Sequence, residues 1–228
     1  HGDLYNAAAV LHDGAVADVV HKVNLPNYGV FDEERYFRAG TCCPVIVRGD
    51  VALGISVCED IWVPAGPPQE QARAGAEVLV NISASPFARG KAGLRSRMLE
   101  TRAVDYRAFV VFCNLVGGQD ELVFDGLSFA LDASGALIGQ GRAFEPDLLF
   151  VELQPEPAGT ADFTAGPVAA APALEEQVYS ALVLGVRDYV DKNGFPGAII
   201  GLSGGVDSAL VLAIAVDALG ADRVRAVM

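Results

Sequence analysis

An α/β fold is what this sequence predicts, and three observations predict it. Residues 51–57, 78–82 and 109–115 are short, almost wholly apolar runs, the pattern of strands covered on both faces. Helical periodicity separates them: Leu94, Met98 and Val104 recur within 91–107, and Val178, Leu182, Val186, Tyr189 and Val190 within 174–192. The last thirty residues read strand, glycine-rich loop, helix, strand, which is a βαβ unit with an expected right-handed crossover.

Taken in order, residues 5–11 and 15–20 are β-compatible and flank Asp13-Gly14, a hairpin signal. A loop follows over 21–29, and residues 32–37 suit one helical turn. Residues 45–48 and 51–57 read as antiparallel strands joined at Gly49-Asp50. Residues 64–68 are a proline-rich loop and 69–75 a short helix ending at glycine. A polar loop, 83–86, follows the strand at 78–82. The helix at 91–107 carries Arg89, Lys91, Arg95, Arg97, Arg102 and Arg107 on or beside it, expected to form a solvated face with Lys91 the exception. Residues 124–131 and 136–140 form a hairpin around 132–135, and 148–153 are a further strand. Residues 154–173, rich in Pro and Ala and without periodicity, read as a linker. A helix over 174–192, a short buried strand over 198–200, a helix over 209–219 and a strand over 223–228 complete the chain. The expected division is therefore 1–153, a linker at 154–173, and 174–228.

The totals exclude several classes. The 228 residues are 52% hydrophobic and 20% charged, with a net charge of -13. That leaves room for a substantial core and argues against a nucleic-acid partner, which needs a basic face. No apolar run is long enough for a membrane span. Cys42, Cys43, Cys58 and Cys113 show no metal or redox spacing, so reduced thiols and a cytoplasmic location are expected. Cys42, Cys43 and Cys113 are expected to be structural, Cys113 inside an apolar strand. The chain starts at His1 and stops in a strand, so it reads as a piece cut from something longer.

Two stretches carry chemistry. Leu53 to Trp62 is an apolar strand ending at Cys58, followed by Glu59 and Asp60. A Cys on a sharp turn at a strand end is either a displayed nucleophile or a small buried side chain. A nucleophile needs a lowered pKa or a base, for which Lys22 and Glu59 are the candidates; a Lys there could equally be a solvated surface residue. The second stretch is Gly201-Leu202-Ser203-Gly204-Gly205-Val206-Asp207-Ser208. Its glycines and the helix amides behind them suit an anion. Asp207 would repel phosphate unless a cation intervenes, which assigns it a Mg2+ contact. The alternative is an ordinary strand-to-helix turn with a capping serine.

This loop resembles the S-G-G-x-D-S pyrophosphate loop of ATP pyrophosphatases. The segments HKVNLPNYGVFDE (21–33), CEDIW (58–62), NISASPF (81–87) and NLVGGQDELVFDG (114–126) resemble nitrilase-type amidases. More narrowly they resemble the glutaminase domain of the glutamine-dependent NAD synthetase family, and residues 201–208 resemble the start of that family's synthetase domain. The resemblance implies a truncated α-β-β-α nitrilase-like sandwich followed by the first βαβ unit of a Rossmann-like ATP-pyrophosphatase domain. It implies a Glu-Lys-Cys triad with Cys58 as nucleophile and Lys22 as its charge-stabilising partner, and glutamine contacts at Tyr28, Ser85 and Lys91. ATP would be a substrate, bound by Gly201, Leu202, Ser203, Gly204, Gly205, Val206, Asp207 and Ser208. The implied reaction turns deamido-NAD, ATP and glutamine into NAD, AMP, pyrophosphate and glutamate, in a homo-oligomer, with no nucleic acid or membrane involved. The sequence departs from the pattern in one respect: the family's general-base Glu lies upstream of His1, so this chain alone is expected to be inactive. A stand-alone amidase, or an incomplete fragment acting as an interaction partner, are the other readings.

Overall fold

The structure, a computed structural model, describes residues 2–155 and 161–228. β1 (Ala7–His12) and β2 (Ala15–His21) form an antiparallel hairpin whose Asp13-Gly14 turn has positive φ at both residues, as a tight two-residue turn requires. A 3-10 turn, Glu33–Arg35, follows. β3 (Val45–Arg48) and β4 (Val51–Val57) pair antiparallel, as expected. A second 3-10 turn, Cys58–Ile61, leads to α1 (Pro67–Arg73). That helix starts inside the stretch read as a loop, because Pro67 and Pro68 occupy its first turn, where the missing N–H groups have no partner to lose.

β5 (Val78–Ser83), α2 (Lys91–Tyr106) and β6 (Phe109–Asn114) come next. β7 (Val116–Gln119) and β8 (Leu122–Asp125) form a separate hairpin, and β9 (Phe129–Leu131) pairs with β10 (Leu137–Gln140). The single strand expected at 124–131 is thus two, broken where Gly126 and Leu127 take left-handed backbone. The central sheet runs β10-β9-β6-β5-β4-β3, with β4, β5 and β6 parallel. On one face Leu79, Val110 and Phe112 pack against Leu99 and Ala103 of α2 and against Ile61. The opposite face carries Ile82 and Cys113 and is partly exposed, so Cys113 is not the buried structural thiol expected.

α2 corrects the sequence reading most. Leu94 and Val104 are exposed, while Arg95 and Arg102 are buried with Leu99 and Ala103. Each arginine is buried against a partner: Arg95 forks onto Asp125 at 3.1 and 3.0 Å, its Nε alone left without an acceptor, and Arg102 donates to the carbonyls of Ile61 and Trp62. The strand expected at 148–153 begins only at Glu152. β11 (Glu152–Pro155) pairs antiparallel with β12 (Ala161–Thr164) inside the segment read as a linker. Residues 166–169 then run along β10: Gly166 N–H donates to Ile138, Gln140 N–H to Pro167 and Ala169 N–H to Gln140.

α3 (Leu174–Lys192) buries Ala181, Leu184 and Val190, with Val178, Leu182 and Tyr189 more exposed than expected. β13 (Ala198–Gly201) pairs parallel with β14 (Val224–Val227) around α4 (Val206–Leu219). This is the expected βαβ order, but Ile199 of β13 is 73% exposed, so that strand is not buried among the described residues.

Candidate active site

Cys58 sits at the C-terminal end of the parallel strand β4 with φ +47. Left-handed backbone at a residue other than glycine is strained by roughly 1–3 kcal/mol, and it swings the side chain off the strand line. Asp60, fully buried, holds the turn. One of its oxygens accepts from Val57 N–H at 3.1 Å; the other accepts from Val23 N–H at 3.1 Å, Asn24 N–H at 2.7 Å and Asn24 Nδ2 at 3.2 Å. One carboxylate therefore ties the Cys58 turn to the residues just after Lys22. Asn81 Nδ2 adds a bond to the Ser56 hydroxyl and reaches Cys58 O.

Lys22 is 1% exposed, and its ammonium lies 2.6 Å from Glu33 Oε1, whose other oxygen accepts from Asn6. A lysine so buried needs a paired charge to stay in place. Tyr28 donates its hydroxyl to Glu59 Oε1 at 2.9 Å. Ser85 is buried, its N–H bound by Asn114 Oδ1 and its carbonyl by Asn114 Nδ2, which also reaches Asp125. Lys91 opens α2 within electrostatic range of Cys58, Glu59, Arg95 and Asp125. Tyr28, Glu59, Lys22, Lys91 and the Ser83-Ala84-Ser85 loop thus surround Cys58.

The second stretch lies apart: among the described residues no hydrogen bond or ion pair joins 201–208 to this cluster. Gly201 ends β13, and Leu202, Ser203, Gly204 and Gly205 form the loop, with Gly204 at φ +84. α4 starts at Val206, three residues earlier than expected, so Asp207 and Ser208 lie in its first turn. The Ser208 hydroxyl donates to Gly205 O and accepts from Ser203 N–H, closing the loop over the free helix amides. No group of three or more metal-ligating side chains occurs among the described residues.

Residues 1–162 match the family model described as Carbon-nitrogen hydrolase. The chain belongs to the carbon-nitrogen hydrolase family. Residues 178–228 match a second model, NAD synthase. Curated relatives include the protein of Thermotoga maritima named Glutamine-dependent NAD(+) synthetase, 41% identical over 259 residues, covering 99% of this chain and 44% of that one. The protein of the same name from Rhodobacter capsulatus is 46% identical over 228 residues, covering 98% and 40%. The chain thus spans less than half the length of these relatives. A solved glutamine-dependent NAD+ synthetase from Acinetobacter baumannii, in complex with adenosine diphosphate, superposes with TM-score 0.93 at 42% identity, covering 100% of this chain and 42% of that one. An amidase from Nesterenkonia sp. superposes with TM-score 0.52 at 28% identity, covering 59% and 49%.

At the Cys58 thiol the electrostatic influences oppose one another. Burial pushes the Cys58 pKa up; the Lys22 ammonium, the Ala84 N–H and the Ser83 hydroxyl pull it back, and burial wins. The thiol therefore needs a proton acceptor, and neither neighbouring hydrogen-bonding group is a carboxylate. Tyr28 is held as a neutral donor, its pKa raised to about 12 by burial and by Glu59. Burial, then Arg95, lowers that of Lys91.

Two residues of the cluster escape the sequence reading, and a third is used differently. Glu33 lies in a run of three acids, Asp32-Glu33-Glu34, and nothing in the run says which one turns inward; the available signal is that a buried Lys22 demands a counter-charge. Asp60 is given no role by the sequence; its four donors supply one. Glu59, a candidate base for Cys58 by its place in the sequence, accepts from Tyr28 instead.

Proposed function

We propose that the chain is the glutamine-hydrolysing part, with the opening of the ATP site, of a glutamine-dependent NAD synthetase. The observation that carries the reading is the ion-paired, 1% exposed Lys22 beside a Cys displayed on a strained strand end, on the same chain as a glycine loop that opens a helix. Cys58 Sγ attacks the side-chain amide carbon of glutamine, and Lys22 stabilises the charge that develops on the tetrahedral intermediate. The C–N bond breaks and ammonia leaves, taking the proton the thiol gave up. Water then cleaves the thioester to glutamate. Lys22, positively charged against Glu33, cannot itself accept the thiol proton, so a carboxylate base of the family's triad belongs in the full protein.

Glutamine carries a carboxylate and an ammonium on one carbon. Lys91 and Glu59 have the opposite charges on the rim of the Cys58 site, and Tyr28 orients Glu59; Ser85 supplies a further polar contact. Ammonia would then attack a carboxyl of deamido-NAD activated as an adenylate. Gly201, Leu202, Ser203, Gly204, Gly205, Val206, Asp207 and Ser208 would receive the phosphates of ATP. A single carboxylate with two nearby hydroxyls fits Mg2+, which commonly takes one or two carboxylates and completes its shell with phosphate and water; Asp207 would hold it and lessen the repulsion between loop and phosphates. We place the amide-hydrolysing unit at 1–153, the connection at 154–173 and the synthetase opening at 174–228. A cytoplasmic enzyme is supported by four unpaired cysteines; a homo-oligomer rests on the resemblance alone.

The test supplies the full-length protein with glutamine, ATP, Mg2+ and deamido-NAD. NAD, AMP, pyrophosphate and glutamate should appear in step. Glutamine or another amide hydrolysed with no ATP consumed would favour a stand-alone amidase. Asp207→Ala should weaken ATP use with glutamine and with free ammonia alike, and restoring it should take more Mg2+; unchanged Mg2+ dependence removes that assignment.

A further inference from the structure

We propose that Asp188, on α3, is a positioning residue for the Ser85–Lys91 edge of the amide pocket, so that a helix in the NAD synthase-like segment forms part of the glutamine site's support. This rests on the function proposed above. Asp188 Oδ2 accepts from Gly118 N–H at 2.7 Å and pairs with Lys192 at 3.1 Å, while Lys192 Nζ donates to Gly118 O. One acid and one base thus grip both polar groups of a single glycine of β7. The helix reaches the backbone only because two glycines meet. A Cβ on Gly118 would lie 3.1 Å from Gly185 Cα and 3.2 Å from Asp188 Cβ, and one on Gly185 would lie 3.1 Å from Val123.

From β7 the path to the pocket is short. Gly118 pairs with Val123 of β8, and Val123 O accepts from Phe87 N–H at 2.7 Å. Pro86 bridges to Phe124 beside it. Phe87 lies two residues after Ser85 and four before Lys91. Its ring meets Phe144 edge-on at 5.4 Å, in a cluster completed by Ala181 and Leu184 of α3. The loop that offers Ser85 and Lys91 to glutamine is therefore fastened through its backbone to the hairpin and through Phe87 to the helix. Neither fastening touches Cys58 or Lys22, so loosening it should affect substrate binding more than the covalent step.

The experiment measures glutamine hydrolysis by the full-length protein and its variants. Asp188→Ala should raise KM for glutamine roughly 3- to 30-fold, with kcat within about two-fold. Asp188→Asn keeps an acceptor and should recover most of the loss. Lys192→Met, at a half-exposed position that folding tolerates, should raise KM in the same direction, so the idea remains testable if Asp188→Ala fails to fold. Unchanged KM in Lys192→Met together with unchanged or unobtainable Asp188→Ala overturns the proposal, and so does an Asp188→Asn variant as impaired as Asp188→Ala. So does a fall in kcat and in melting temperature with KM constant, which would make the contact merely structural. Cys58→Ala is the control for the underlying reading: if it hydrolyses glutamine normally, that reading fails by itself, whatever Asp188 does.

Discussion

Cys58 feels two opposed influences, and their balance can be measured on this chain. Because burial outweighs the pull of Lys22, the thiol titrates above its ordinary value of 9.0. Alkylation by iodoacetamide should then be slow near neutrality and climb as pH rises past that value. Lys22→Met removes a cation that favours thiolate, so the curve should move to still higher pH; a shift to lower pH would show that Lys22 does not face the sulfur. Asp60 is the second test. Asp60→Ala strips four donors of their acceptor, and each buried orphan costs about 1–3 kcal/mol. A loss of about 3 kcal/mol or more is expected in urea denaturation, with Asp60→Asn milder; a loss under about 1 kcal/mol would remove the clamp. At this scale the sequence singles out the residue proposed to bear the chemistry but not what holds it. Cys58 and Lys22 stand in recognisable surroundings, whereas Glu33 and Asp60 differ from neighbouring acids only in the direction they face, which long-range contacts decide.

Among the elements, α2 shows why periodicity misleads. Its buried stripe includes Arg95 and Arg102, which a hydropathy reading assigns to solvent, so the apolar face expected from sequence is about one residue out of phase. Burial there depends on partners far along the chain, Asp125 and the carbonyls of Ile61 and Trp62. Asp125→Ala should therefore cost about 3–5 kcal/mol by stranding Arg95, and pairing it with Arg95→Met should return much of that. Equal destabilisation in the single and double variants would show that the pair is not what anchors α2. β7 is absent from the sequence reading for a different reason: the glycines of the strand, Gly117 and Gly118, are explained by the close approach of Gly185 and Asp188 and by the positive φ of Gly117, which only the fold reveals. The parallel strands β4, β5 and β6, uniform apolar runs, are legible from the first.

Across the whole molecule, the order of the parts is legible because each ends in strong punctuation: Cys58 after a strand, Gly201 to Gly205 before a helix, and prolines and alanines between them. How the parts touch is not, since the contact of α3 with β7 and the run of 166–169 along β10 depend on backbone groups that carry no side-chain signature. The central claim is that Cys58 serves nitrogen release and nothing else, with the nucleotide chemistry confined to the segment around residues 201–208. Full-length Cys58→Ala protein, assayed for NAD formation from deamido-NAD and ATP with glutamine and separately with ammonium chloride, tests it directly. Glutamine-dependent synthesis should vanish while ammonia-dependent synthesis continues near the wild-type rate; loss of both in a folded protein, or survival of the glutamine-dependent reaction, would contradict it.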